Sequence, residues 1–148
     1  YSFTPIGIQG KPVDHILFES LLKDISENSH RDDSIRRAVI SSSYDHPSIH
    51  QLIELGCCRG SIQAGKISLL SVEDAKGLEF DTVWLPDLNE GILPNRKSIT
   101  PVQIEEERRM LYVGMTRAKQ ALCMSYITGT GENPMMPSRL IRCLKQRS

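Results

Sequence analysis

No G-x-x-x-x-G-K-[ST] run occurs in this chain, so it carries no phosphate-binding loop of the kind whose backbone amides and lysine cradle nucleotide phosphates. Gly129-Thr130-Gly131, with Pro134 after it, is a glycine-containing loop without that lysine or the strand-then-helix setting. No accompanying acidic motif is positioned to hold magnesium. The four cysteines, Cys57, Cys58, Cys123 and Cys143, lack zinc-type spacing, and without a signal peptide they read as reduced thiols of a cytoplasmic protein. No apolar run is long enough to cross a membrane. Nor does charge of one sign dominate: 18 Lys and Arg balance 18 Asp and Glu, so any basic surface is local. Internal repeats and low-complexity tracts are absent as well.

The 148 residues suffice for one domain with a sizeable core, and the pattern along them divides into two unequal regions. In residues 1–60, Val13, Ile16, Leu17, Leu21, Leu22 and Ile25 recur at helical spacing after Pro12. A second helix is predicted from Asp33 or Ser34 through Ile35, Ala38 and Val39. A third is predicted from Pro47, with Ile49, Leu52 and Ile53 inward and Gly56 closing it. This region is therefore expected to be mainly helical. Residues 61–148 differ: Ile67 to Val72, Asp81 to Leu85 and Ala121 to Ile127 are short apolar runs suited to buried strands. Strands alternating with helices predict an α/β fold with parallel pairs.

Between the last two runs lies one well-signalled helix. Thr100-Pro101-Val102-Gln103 has the form of a capping box with proline at the first helical position. Glu105 and Glu106 precede Arg108 and Arg109 at the spacing that favours charge pairs. Leu111, Met115 and Ala118 form a stripe to face a sheet. Gly114, which costs about 1 kcal/mol against alanine in a helix interior, suggests close approach of another backbone or a ligand. Arg117 falls where this helix runs into a strand. On these grounds alone it reads first as a cation favoured by the helix dipole, with an arginine that senses nucleotide as the alternative.

EEERRMLYVGMTRAK, starting at Glu105, resembles motif VI of the superfamily 1 helicases of the UvrD/Rep/PcrA group. ISLLSVEDAKGLEFDTVWLPDLNEGILP, Ile67 to Pro94, resembles the motif V region of that family and the acidic Glu-Gly segment after it. PSRLIRCL, Pro137 to Leu144, is similar to the short helix that often follows. The three matches occur in the family's order and cover roughly residues 66 to 144. The resemblance implies a RecA-like (P-loop NTPase-type) parallel sheet flanked by helices, the second motor domain of an enzyme that moves on single-stranded or partly duplex DNA using ATP with magnesium. It also implies that an N-terminal RecA-like domain of the same polypeptide supplies the phosphate loop and magnesium ligands, so that this chain alone is inactive. Its start at Tyr1 rather than Met fits a C-terminal piece of such a protein.

Residue by residue, the resemblance makes Arg117 the motif VI arginine that reaches the γ-phosphate, Glu79 the glutamate that contacts the ribose, and Gly77 the glycine that lets the backbone come close. Lys76-Gly77-Leu78-Glu79 also reads as a plain tight turn between strands. Ser71 stands for the family's DNA-contacting threonine and Lys76 for a neighbouring basic contact. Glu73 occupies the usual histidine position, where a carboxylate repels phosphate. A second reading is a catalytically inactive, helicase-like module that binds DNA or protein; residues 1–60 are then, as in the first reading, a remnant of an inserted helical subdomain. Trp84 and Phe80 are expected in the core. Cys57 and Cys58 are expected at a helix end, His46 and His50 on the surface with no metal, and Asp87, Asn89 and Glu90 in a polar turn.

Overall fold

In the computed structural model, residues 6–9, 36–42, 58–62, 66–129 and 132–145 are described. Among these residues six strands form one sheet: β1 (Ile6–Gln9), β2 (Arg37–Ser41), β3 (Cys58–Arg59), β4 (Ile67–Ser71), β5 (Phe80–Leu85) and β6 (Ala118–Gly129). Their order across the sheet is β1-β6-β5-β2-β4-β3, and every neighbouring pair is parallel. Two helices lie among the described residues, α1 (Pro101–Thr116) and α2 (Arg139–Lys145).

β2 overturns one expectation. Residues predicted to belong to a helix through Ala38 and Val39 form a strand whose five residues are all buried, hydrogen-bonded to β4 on one side and β5 on the other. The physical reason is that a run as short as Ala-Val-Ile has no period of its own. A strand paired on both edges and covered on both faces reads as an unbroken apolar run, and so does a turn of buried helix. β1 and β3 likewise bring parts of residues 1–60 into the sheet, and Cys58 opens a strand where a helix end was expected. The helices predicted over 13–25 and 47–56, and both histidines, His46 and His50, lie outside the described residues.

β4, β5 and β6 follow the predicted runs within a few residues. Leu69, Leu70, Phe80, Val83 and Trp84 are each at most 2% exposed, and Trp84 places its indole N–H against Ser125 Oγ at 2.8 Å, so the ring is core and its one polar atom is satisfied.

α1 begins as its local signals require. Gln103 N–H donates to Thr100 Oγ1 at 3.2 Å, and Gln103 Oε1 accepts from Thr100 N–H at 3.1 Å, with Pro101 at the first position. Glu105 and Arg108 pair at 3.2 Å with both side chains about half exposed, a contact worth at most about 1 kcal/mol. Leu111 and Gly114 are the buried residues of the helix. A Cβ on Gly114 would lie 3.2 Å from Leu85 Cδ2 and 3.9 Å from Ile40 Cγ2. The glycine therefore lets the helix settle onto β2 and β5 side chains; neither backbone nor ligand is what it admits. Ala118, expected on the helix stripe, is already the first residue of β6.

The polar segment after β5 is largely buried. Asp87 and Asn89 are 5% and 0% exposed. Asn89 Nδ2 donates to Ile127 O at 2.7 Å and Met136 O at 3.1 Å, while Asn89 Oδ1 accepts from Ile127 N–H at 3.0 Å. Leu85 opposite Met124 is the last β5–β6 pair, and Leu88 N–H then reaches Ser125 O at 3.0 Å. A side-chain amide thus continues the ladder after the backbone has left it. One residue on, Glu90 clamps α2: Arg139 Nη2 lies 2.9 Å from Oε2, Arg142 Nη2 lies 3.4 Å from Oε1, and Arg139 N–H also donates to Oε1. Burial pushes the Glu90 carboxyl up, but the hydrogen bonds from Arg139 and the charges of Arg139 and Arg142 outweigh it and hold the group below its ordinary value.

Candidate functional site

The crossover from β4 to β5, residues 72–79, carries the chain from the carboxyl end of one strand to the amino end of another running the same way. It is pinned at intervals: Ala75 N–H donates to Ser71 O at 3.1 Å, Lys76 N–H to Glu73 O at 3.2 Å and Leu78 N–H to Ala75 O at 3.0 Å. Ala75 is fully buried. Gly77 adopts φ +78°, a left-handed conformation that costs roughly 1–2 kcal/mol in a residue with a Cβ. Nothing lies within 4 Å of where its Cβ would be. Backbone conformation therefore accounts for this glycine, and open space lies in front of it.

Where β5 and β6 begin side by side, the crossover meets the end of α1. Phe80 N–H donates to Arg117 O at 2.8 Å, so the arginine's own backbone is stitched to the sheet. Its side chain is gripped by three neutral acceptors: Nε donates to Val113 O at 3.1 Å, Nη1 to Leu78 O at 3.2 Å and Nη2 to Thr116 Oγ1 at 3.1 Å. A guanidinium has five N–H donors, so one remains on each terminal nitrogen. Among the described residues Arg117 forms no ion pair. Its charge is held in place and, among the described residues, not neutralised, which is how a cation is kept ready for an incoming anion.

Glu79 lies beside this contact, exposed and without a partner among the described residues. Asp81, two residues further, is occupied instead: it accepts from Arg36 N–H at 2.7 Å and lies 3.8 Å from Lys119 Nζ. Gly77, Glu79 and Arg117 are thus brought to one end of the sheet, by the amino ends of β5 and β6. Ser71 is not with them. It ends β4 opposite Ser41, at the carboxyl end, where its Oγ accepts from Asp74 N–H at 3.1 Å. Lys76 is exposed on the crossover, as are Glu73 and Asp74, so two carboxylates accompany one ammonium there. Cys123, whose thiol is pushed up by burial, is inert packing.

Sequence reasoning missed the Leu78 carbonyl and the Thr116 hydroxyl. The first is a backbone group 39 residues from its partner and leaves no sequence signal. Thr116 stood in plain view inside the helix-to-strand run, and a hydroxyl adjacent to an arginine at a helix end was the available clue.

Comparison with known proteins adds a family match. Residues 19–129 match the model of the UvrD-like helicase C-terminal domain. The chain is 43% identical over 79 residues to the ATP-dependent DNA helicase Rep of Buchnera aphidicola subsp. Schizaphis graminum, covering 53% of this chain and 12% of that protein. It is 37% identical over 97 residues to DNA helicase II of Haemophilus influenzae, covering 62% and 13%. The chain therefore matches about an eighth of the length of these curated relatives. Among solved structures, the C-terminal domain of a possible DNA helicase from Lactobacillus plantarum WCFS1 superposes with a TM-score of 0.60 over 93% of this chain and 78% of that one, at 19% identity, a likeness of fold.

Proposed function

Because this chain belongs to the UvrD-like helicase C-terminal domain family, we propose that it is the second motor domain of an ATP-dependent DNA helicase, contributing half of a nucleotide site. Arg117 faces the γ-phosphate, Glu79 the nucleotide sugar, and Gly77 leaves room for the sugar's approach. The phosphate loop and magnesium ligands come from an N-terminal RecA-like domain of the same polypeptide. ATP turnover between the two domains drives movement along single-stranded DNA and unwinding, and this chain by itself does not hydrolyse ATP.

The observation that carries this reading is the state of Arg117: three nitrogens tethered to neutral oxygens, with no ion pair among the described residues. An arginine that served only the helix end would be as well placed in solvent. The chemistry suits phosphoryl transfer, in which charge spreads over the phosphoryl oxygens and a fixed guanidinium accelerates the reaction by about 10³–10⁵-fold. Its tethers mean that little reorganisation accompanies the appearance of that charge. The exposed Glu79 carboxylate can accept from a ribose hydroxyl, and bound ATP supplies the phosphoryl group. Ser71, which ends β4, and Lys76, on the crossover just before Gly77, are the candidate DNA contacts. The exposed Glu73 and Asp74 between them favour a second reading for that stretch alone, a surface that turns from nucleic acid toward a protein.

The test is steady-state ATP hydrolysis by the polypeptide carrying both motor domains, with and without single-stranded DNA, for wild type and Arg117→Ala. Hydrolysis is expected to fall by about 10³-fold or more while binding of a fluorescent ATP analogue changes little, because the interaction is strongest in the transition state. Undiminished hydrolysis would return Arg117 to an ordinary helix-end cation.

A further inference from the structure

We infer that Thr116 is a positioning residue for Arg117: its hydroxyl, the one side-chain oxygen in the guanidinium's grip, sets the rotation of the terminal nitrogens that face the nucleotide. The inference rests on the nucleotide role proposed above for Arg117 and assigns a function to a neighbour that touches no substrate.

Thr116 Oγ1 is within 2.9 Å of Val113 O and 3.1 Å of Arg117 Nη2. A carbonyl only accepts, so the hydroxyl proton goes to Val113 O. An oxygen lone pair is then left for the Nη2 N–H, and the direction of both bonds is fixed. The ordinary account of such a hydroxyl is that it satisfies a carbonyl left over at the helix C-terminus. That account is incomplete here, because Val113 O already accepts from Arg117 Nε at 3.1 Å. Thr116 is also exposed, so water would serve the carbonyl as well. What water cannot do is hold Nη2 at a fixed place.

The grip has a geometric consequence. Nε is tied to the last turn of α1 and Nη1 to Leu78 O on the crossover. These two bonds alone leave the planar group free to tilt about the line joining them. A third attachment at Nη2 removes that tilt, and Thr116 supplies it from the adjacent residue. Both remaining N–H groups then keep one direction while the γ-phosphate is approached. Misorientation of a transition-state donor lowers turnover more than substrate binding.

The decisive experiment measures ATP hydrolysis and ATP KM for the two-domain polypeptide bearing Thr116→Val, Thr116→Ala or Thr116→Ser, each also combined with Arg117→Ala. Valine keeps the branched shape and removes the oxygen; serine keeps the oxygen. Thr116→Val and Thr116→Ala are expected to lower kcat roughly tenfold, the effect of one lost charge-assisted contact, with KM for ATP within about twofold and an unchanged thermal midpoint. Thr116→Ser should restore kcat. Adding Thr116→Val to Arg117→Ala should cost nothing more, since the group it positions is gone. A kcat for Thr116→Val equal to wild type, or equal losses in valine and serine variants, overturns the inference while leaving Arg117 in place. Hydrolysis unaffected by Arg117→Ala overturns the reading beneath it, and the inference with it.

Discussion

Removing the Asn89 amide isolates the contribution of one side chain to the integrity of the sheet. In Asn89→Ala, Ile127 loses the partners of both its N–H and its C=O, and Met136 O loses one donor. The Ile127 groups lie where Asn89 is wholly buried, so water does not replace the amide there without opening the structure; Met136, 57% exposed, is more readily solvated. Two buried unsatisfied groups at about 1–3 kcal/mol each, with a small cavity added, give an expected loss of roughly 3–5 kcal/mol. That is a large part of the 5–15 kcal/mol typical of a domain, roughly stated. The assay is urea unfolding of this chain followed by far-ultraviolet circular dichroism. With a slope of about 2 kcal/mol per molar, the midpoint should drop by roughly 1.5–2.5 M. Asn89→Asp sharpens the test because its volume is unchanged. An ionised carboxylate facing two carbonyl oxygens is disfavoured in the folded state, so its folded pKa lies above its unfolded one. Its deficit should therefore shrink as the solution is acidified and the carboxyl gains a proton to donate. A midpoint shift under about 0.5 M for Asn89→Ala, on the same slope, or an Asn89→Asp deficit independent of pH, would refute the argument that this amide stands in for a strand.

Glu90 should show the opposite acid behaviour to the Asn89→Asp variant. Its folded carboxyl is held below its ordinary value, so the stabilisation it brings is present at neutral pH and lost as pH falls through the folded value. The stability gap between wild type and Glu90→Gln should accordingly narrow on acidification below 4.5; a gap constant from pH 7 to acid would show that the clamp on α2 does not depend on charge. Thr100→Ala should lower stability by about 1 kcal/mol through loss of the capping box, read in the same urea assay. An unchanged midpoint would mean that α1 does not rely on this cap.

How far the structure could be read from the residues depended on the distance between cause and effect. The start of α1 was legible because Thr100, Pro101 and Gln103 lie within four positions of one another. The strands Ile67–Ser71 and Phe80–Leu85 were legible because buried parallel strands are apolar throughout, and turn residues lie between them. The same physics hid β2: Arg37–Ser41 offers a run too short to separate strand from helix, and what decides the matter is pairing with β4 and β5, whose residues come 30 or more positions later. The end of the sheet where Gly77, Glu79 and Arg117 gather was reached through family resemblance. The contact that assembles it, a guanidinium on a backbone carbonyl, carries no residue signature at one end. The roles of Asn89 and Glu90 were hidden for a related reason: polar residues after a strand are usually solvated, and only the return of β6 and α2 gives Asn89 its buried backbone partners and Glu90 its two arginines.

The order of the sheet also constrains how the domain is made. Ile6 lies opposite Ser125, so among the described strands the earliest waits for the latest. A ribosome adding roughly 5–20 residues per second leaves β1 without its neighbour for many seconds. Closing so long a loop also defers the contact in spontaneous folding. β2, β4 and β5 need far less chain and can assemble first, with β6 joining β5 afterwards and its outer edge capped last of all. Any shortened chain that ends before β6 therefore uncovers two further strand edges, that of β5 and that of β1 which β6 would pair, each able to recruit a strand from another molecule.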